Sequence, residues 1–206
     1  MTLSGIMPAI LNGLFVTLTI SLFSLVIAVV PGSLLFMGKN SKSPLLKLPC
    51  NAYIYLFDGV PLLLQIFFFY YALPMAFRPL AFPGYATGVL ILSLNAIALL
   101  AVQMDFYTLK SKENPGRPGI LKLLALSALY VFAELLKYST LLSLIGLTEL
   151  FRISGQISNR LANASAYLIA IGIFLVLNTV LKLLVKRLYN VFFPEQEPRK
   201  VLVDTR

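Results

Sequence analysis

Long apolar runs without a single charge dominate this chain. Residues 1–38, 62–77, 84–104 and 161–181 contain no Asp, Glu, Lys or Arg, and the uncharged stretches 123–133 and 138–148 flank a short insert holding Glu134 and Lys137. A helix crossing a bilayer needs about 20 mainly apolar residues. The pattern therefore predicts five membrane-spanning helices, near 12–36, 60–77, 84–104, 121–145 and 161–181, and an all-α integral membrane fold. The second of these is short unless it extends upstream. The fourth is charged in its middle, where an unpaired charge would cost at least about 2.5 kcal/mol. Glu134 and Lys137 stand one helical turn apart, so they can share a face and neutralise each other.

The segments between the runs carry their own signals. Pro31-Gly32 marks a kink or a helix end in the first span, and Asn40 to Pro44 reads as a turn. From Leu45 to Phe57, apolar residues recur at helical spacing around Lys47 and Asn51, which predicts an amphipathic helix at the interface or against a partner. Asp58-Gly59-Val60-Pro61 then breaks the helix. It reads either as a kinked turn with Asp58 capping the next helix, or as an element of a permeation pathway, since irregular backbone at membrane depth must be covered by protein or water.

Gln65 lies in the second span, ahead of the aromatic run Phe67 to Tyr71, a pattern typical of an interfacial belt. Ser93, Asn95 and Gln103 line the third. Buried amides serve either as glue between helices or, for Asn95, as a substrate contact. Leu147 to Leu161 predicts a short outer helix with Glu149 and Arg152 spaced as an i,i+3 ion pair. The organisation is one membrane domain, 1–193, followed by a polar tail, 194–206.

Composition sharpens the class. With 59% hydrophobic and 12% charged residues and a mean hydropathy of +0.87, the chain is far more apolar than a soluble domain. Its net charge of +9 reflects loop placement. Lys39, Lys42, Lys47, Lys110, Lys112, Arg117, Lys122 and the basic residues from Lys182 onward fall on one side of the predicted spans, against Arg78, Arg152 and Arg160 on the other. The positive-inside rule then places the N-terminus outside and the C-terminus in the cytoplasm, and the charge requires no nucleic acid. The opening run lacks a basic n-region and exceeds a signal-peptide core, so it reads as a retained span.

Cys50 is the sole cysteine and histidine is absent, which removes intramolecular disulfides, Cys-based metal clusters and the commonest general base. No metal or cofactor is expected, and no pair of residues within a span suggests catalysis. Five spans without an internal repeat rarely complete a transport pathway, so a partner is expected.

Four segments resemble one family, the membrane-spanning subunits of bacterial ABC importers for polar amino acids, the histidine/glutamine permease type. They are Leu11-Asn12-Gly13-Leu14-Phe15-Val16-Thr17-Leu18; Gly59-Val60-Pro61-Leu62-Leu63-Leu64-Gln65-Ile66-Phe67-Phe68; Leu92-Ser93-Leu94-Asn95; and Leu135-Leu136-Lys137-Tyr138-Ser139-Thr140-Leu141-Leu142-Ser143-Leu144-Ile145-Gly146, continued by Glu149-Leu150-Phe151-Arg152. The likeness runs from about residue 11 to 189 and implies a five-span type I ABC importer permease fold in a bacterial cytoplasmic membrane.

It also implies partners: a second permease subunit, giving a heteromer; an ATP-binding subunit; and an extracytoplasmic solute-binding protein. The candidate pathway or structural residues are Asp58, Gly59, Pro61, Gln65, Asn95, Gln103, Glu134 and Lys137. Departures from the family pattern bear on coupling. The E-A-A loop that docks into the ATPase is missing from Asp105–Lys122, where two prolines and two glycines in ten residues oppose a helix. Asp58 replaces an Arg, Val60 a Thr, Gln103 a Glu and Tyr138 an Asp. The resemblance therefore implies a permease subunit coupled to ATP hydrolysis mainly through its partner, or alternatively a degenerate subunit with a scaffold role. Neither reading selects a substrate amino acid.

Overall fold

The structure, a computed structural model, describes residues 3–111 and 119–193, and every regular element among them is helical. Helix α1 (Leu3–Lys39) leads into α2 (Pro44–Gly59). After a break come α3 (Leu62–Phe67), a π-helical turn over Phe68–Ala72, and α4 (Leu73–Ala76). A 3-10 turn at Arg78–Leu80 precedes α5 (Gly84–Ser111) and α6 (Ile120–Tyr138). A 3-10 segment, Ser139–Ile145, then joins α6 to α7 (Leu150–Leu161) and α8 (Ser165–Phe192). The tail 194–206 and residues 112–118, which hold most of the Pro- and Gly-rich interval, lie outside the described residues.

The expectation of five spans requires correction. Three helical stretches are long and apolar enough to cross a membrane: Ile6–Lys39, Gly84–Lys110 and Ser165–Phe192. A fourth is reached only when Pro44–Gly59 and Leu62–Ala76 count together across a bend of 96°. The remaining candidate fails for a local reason. Helix α6 is 19 residues long and contains Lys122, Glu134 and Lys137, and the α-helix gives way to 3-10 turns after Tyr138. The uncharged residues 138–148 thus do not extend it.

Pro31 neither ends nor interrupts α1, which runs on to Lys39. A proline is tolerated inside a membrane helix when neighbouring groups accommodate it. Here the adjoining Gly32 lets α1 approach α5 closely: a Cβ at that position would meet the Leu100 side chain at 2.8 Å.

Helix α1 packs most extensively on α5, and α6 closes the bundle against both. Ile20 and Ala28 of α1, Ile91, Leu92, Leu100 and Met104 of α5, and Leu126 and Leu135 of α6 form the main core. A smaller core of Ile6, Ile10, Leu150 and Ala170 ties the start of α1 to α7 and α8. Without a hydrophobic difference between lipid and leucine, such bundles rely on close packing and interhelical hydrogen bonds. The α1 hydroxyls act in that way. Ser24 donates to the Val89 carbonyl at 3.3 Å, and Thr17 Oγ1 accepts from the Leu150 amide at 3.2 Å.

Basic residues gather at the end of the bundle opposite α7. Lys39 pairs with Asp105, which also accepts from Asn40 Nδ2 at 2.7 Å. The Lys110 ammonium lies 4.5 Å from the Tyr189 ring centroid, and that of Lys122 lies 5.6 Å from Phe192. Each contact contributes about 0.5–1 kcal/mol when exposed.

Candidate functional site

The break between α2 and α3 collects most of the candidate residues, and Pro61 causes it. Proline restricts the preceding residue to extended backbone, and Val60 is extended, at φ −91° and ψ 130°. Proline also lacks an N–H. In a continuing helix the Phe57 carbonyl would accept from residue 61, so Pro61 leaves that buried acceptor without its backbone donor.

Two amides repair the gap. Asn95 Nδ2 of α5 donates to the Phe57 carbonyl at 2.7 Å, and Gln65 Nε2 of α3 donates to it at 3.0 Å. Gln65 Nε2 also donates to the Val60 carbonyl at 2.7 Å. The Tyr53 hydroxyl donates to the Leu94 carbonyl at 2.9 Å, which holds α2 against α5 one turn earlier. Asn95 thus acts as interhelical glue at an irregular backbone.

Asp58 does not cap the following helix. It remains in the last turn of α2, the residue before α3 is Pro61, and no side chain caps α3. Gly59 is not needed for space, since a Cβ there would meet nothing within 4 Å. Beside the break lies a cavity of about 340 Å³, walled by Phe57, Val60, Leu64, Gln65, Phe68 and Phe69. The π-helical turn begins at Phe68, and such turns recur at functional sites.

Glu134 and Lys137 form a second cluster. Their side chains meet at 2.6 Å across one helical turn, as the spacing predicts. Tyr138 lies within electrostatic reach of Glu134 and also of Asp58. Glu134 further lines a cavity of about 270 Å³ with Tyr107, Tyr130 and Lys182. Gln103 is half-buried in the interior of α5, away from the α2–α3 break.

Glu149 has a role that the sequence reading missed. It is fully buried and caps α7, accepting from the Phe151 and Arg152 amides at 2.8 and 2.7 Å. The expected side-chain pair with Arg152 does not form; Arg152 Nη1 instead donates to the Ser143 carbonyl at 2.6 Å. Burial pushes the Glu149 carboxyl up from 4.5 to about 7, opposed by the two backbone hydrogen bonds and the Arg152 charge. Glutamate is not among the residues that mark an N-cap in a sequence, so only the packed structure reveals that Glu149 fills this position. Gly146, at φ 92°, and Ala162, at φ 48°, bound this part of the chain in left-handed conformations.

Three helices long and apolar enough to cross a membrane, with a broken helix pair whose gap two amides fill, describe a helical membrane protein. No family model matches the chain. Among curated proteins it resembles the probable amino-acid permease protein YxeN of Bacillus subtilis, with 34% identity over 95 residues, which is 46% of this chain and 42% of YxeN. It likewise resembles the probable amino-acid ABC transporter permease protein YckA of the same organism, with 31% identity covering 46% of this chain and 41% of YckA. The match thus spans about two fifths of the length of these relatives. Among solved structures, "Crystal structure of an amino acid ABC transporter with histidines" aligns with a TM-score of 0.76 and 23% identity, over 91% of this chain and 98% of that one. The chain is therefore similar in sequence to amino-acid ABC transporter permeases and shares their fold, as the four sequence segments imply.

Proposed function

We propose that this chain is the membrane-spanning subunit of an ABC-type amino-acid importer. The observation that carries the reading is the break at Phe57–Pro61 inside a permease fold. Its irregular backbone is held by Gln65 and Asn95, whereas an unbroken helix would satisfy the same carbonyls without buried amides. In this proposal the chain lies in a bacterial cytoplasmic membrane with its basic end in the cytoplasm, where Lys39, Lys110 and Lys122 cluster. A second permease subunit completes the pathway, and ATP hydrolysis resides in a separate subunit that acts mainly through that partner. A solute-binding protein delivers the amino acid. Asp58, Gly59, Pro61, Gln65 and Asn95 form the hinge of the pathway wall, and Glu134, Lys137 and Gln103 are the polar residues of the adjoining helices.

The test is to purify the assembly around this chain from its native membrane, identify its subunits, and reconstitute it in vesicles. The expected result is a second permease, an ATPase and a solute-binding protein, with ATP-dependent uptake of a labelled amino acid. An assembly of unrelated subunits without uptake refutes import and supports the scaffold role.

A further inference from the structure

We propose that Asp58 marks a docking face for a different membrane-spanning chain, one that presents an arginine or lysine at the same depth. Ile97 is the middle residue of the candidate span Gly84–Lys110, and Asn95 stands about 3 Å from it along the helix axis. The Asn95 side chain bonds the Phe57 carbonyl at 2.7 Å, so the next residue, Asp58, lies near the middle of the same span. Asp58 is exposed on the surface of the chain. The ion pairs among the described residues are Lys39–Asp105 and Lys137–Glu134, and neither uses it. A lone carboxylate facing lipid at that depth costs at least about 2.5 kcal/mol.

The neighbouring charges identify what covers it. Tyr138 lies within electrostatic reach of both Asp58 and Glu134, which sets the Glu134–Lys137 pair beside the break. Lys137 is committed to Glu134 at 2.6 Å, so among the described residues two carboxylates share this region with one ammonium. One further cation balances them, and lipid tails bring none. A second copy of this chain, related by a two-fold axis, would add the same three charges and leave the interface with an excess of carboxylates. A different chain carrying one Arg or Lys restores neutrality, and such pairing is how charges persist within a membrane. Tyr55, one turn earlier on the same face of α2 and 79% exposed, extends the face with a ring of the kind enriched at interfaces. The partner is defined by its charge alone, so the proposal stands or falls separately from the import reading.

The test is a photo-cross-link in the native membrane. The full-length chain is expressed with p-benzoylphenylalanine in place of Tyr55 and irradiated, and the cross-linked peptides are sequenced by mass spectrometry. The expected product joins this chain to another membrane protein, within one helical turn of an Arg or Lys in an apolar segment. A product with a second copy of this chain, one with a segment lacking a basic residue, or no protein product at all overturns the proposal. Charge reversal then tests the pair itself. Asp58→Arg is expected to lower the yield of that product at least about tenfold, and changing the partner's basic residue to Asp in the same cells is expected to restore it. An undiminished yield, or a loss that the reciprocal change does not restore, overturns the ion pair.

Discussion

Two amides meeting at one carbonyl make a prediction that can be worked through. Asn95→Leu removes one donor from the Phe57 carbonyl, but Gln65 Nε2 remains at 3.0 Å. Interhelical hydrogen bonds in membrane bundles contribute about 0.6 kcal/mol on average, so the single loss is expected to cost about 0.5–1 kcal/mol. Gln65→Leu removes two bonds and orphans the Val60 carbonyl, for an expected cost of about 2 kcal/mol. In the double variant the Phe57 carbonyl has no donor at all, because Pro61 cannot supply one. Leaving a buried acceptor unpaired costs about 1–3 kcal/mol, so the double variant should lose about 1 kcal/mol more than the sum of the two singles.

The assay is reversible unfolding of the purified protein in mixed micelles of increasing SDS content, followed by helical ellipticity, with free energies extrapolated linearly. All four members of the cycle are measured under one set of conditions. Additivity to within about 0.3 kcal/mol would refute the shared-carbonyl reasoning, because uncoupled sites behave that way. A loss in neither single variant would refute the repair role altogether.

Three further outcomes are expected. Gly13→Ala should destabilise the fold by about 1–3 kcal/mol, because its Cβ would stand 2.9 Å from the Leu150 Cα; Gly59→Ala, with nothing near its Cβ, should be neutral or stabilising in the same unfolding assay. Glu149 lies outside the candidate spans, and its carboxyl is raised from 4.5 to about 7 when folded. The folded state therefore holds the proton more tightly, and this contribution is fully present below about pH 4.5, is lost as pH rises to about 7, and is level above that. Glu149→Gln should flatten the dependence, and an unchanged pH profile of unfolding would exclude the assignment. Finally, Glu134→Gln should lower folded yield more than the double change Glu134→Gln with Lys137→Met, since the single change strands an ammonium paired at 2.6 Å; size-exclusion recovery after detergent extraction reads the difference.

Several features were legible because they depend on neighbours in the chain. The uncharged runs predict the helices later seen as α1, α5 and α8. The spacing of Glu134 and Lys137 predicts their pair. The amphipathic segment predicted over 45–57 is α2, which runs from Pro44 to Gly59. Asp58-Gly59-Val60-Pro61 announces the break, and the interval 147–161 announces α7. Other expectations failed where spacing admitted two outcomes. Glu149 and Arg152 stand at ion-pair spacing, yet the carboxylate serves the helix N-terminus and the guanidinium reaches back to Ser143. Asp58 is a good capping residue in the wrong register, still inside α2. The apolar content of 121–145 suggested a span, but Lys122 and the change to 3-10 turns after Tyr138 shorten it.

Hydropathy and charge spacing alone determined that this is a helical membrane protein and where α1, α5 and α8 run, and the Asp58-Gly59-Val60-Pro61 pattern marked where another helix breaks. These follow from the cost of exposing polar groups to lipid and from the missing N–H of proline, both local properties of the chain. Only the tertiary structure decided how the interruption is tolerated. One of the two donors to the Phe57 carbonyl comes from Asn95, 38 positions away, and the bond to the Leu150 amide comes from Thr17, 133 positions away. Sequence shows which residues carry donors, whereas the packing of α1, α3 and α5 decides which acceptor each one reaches.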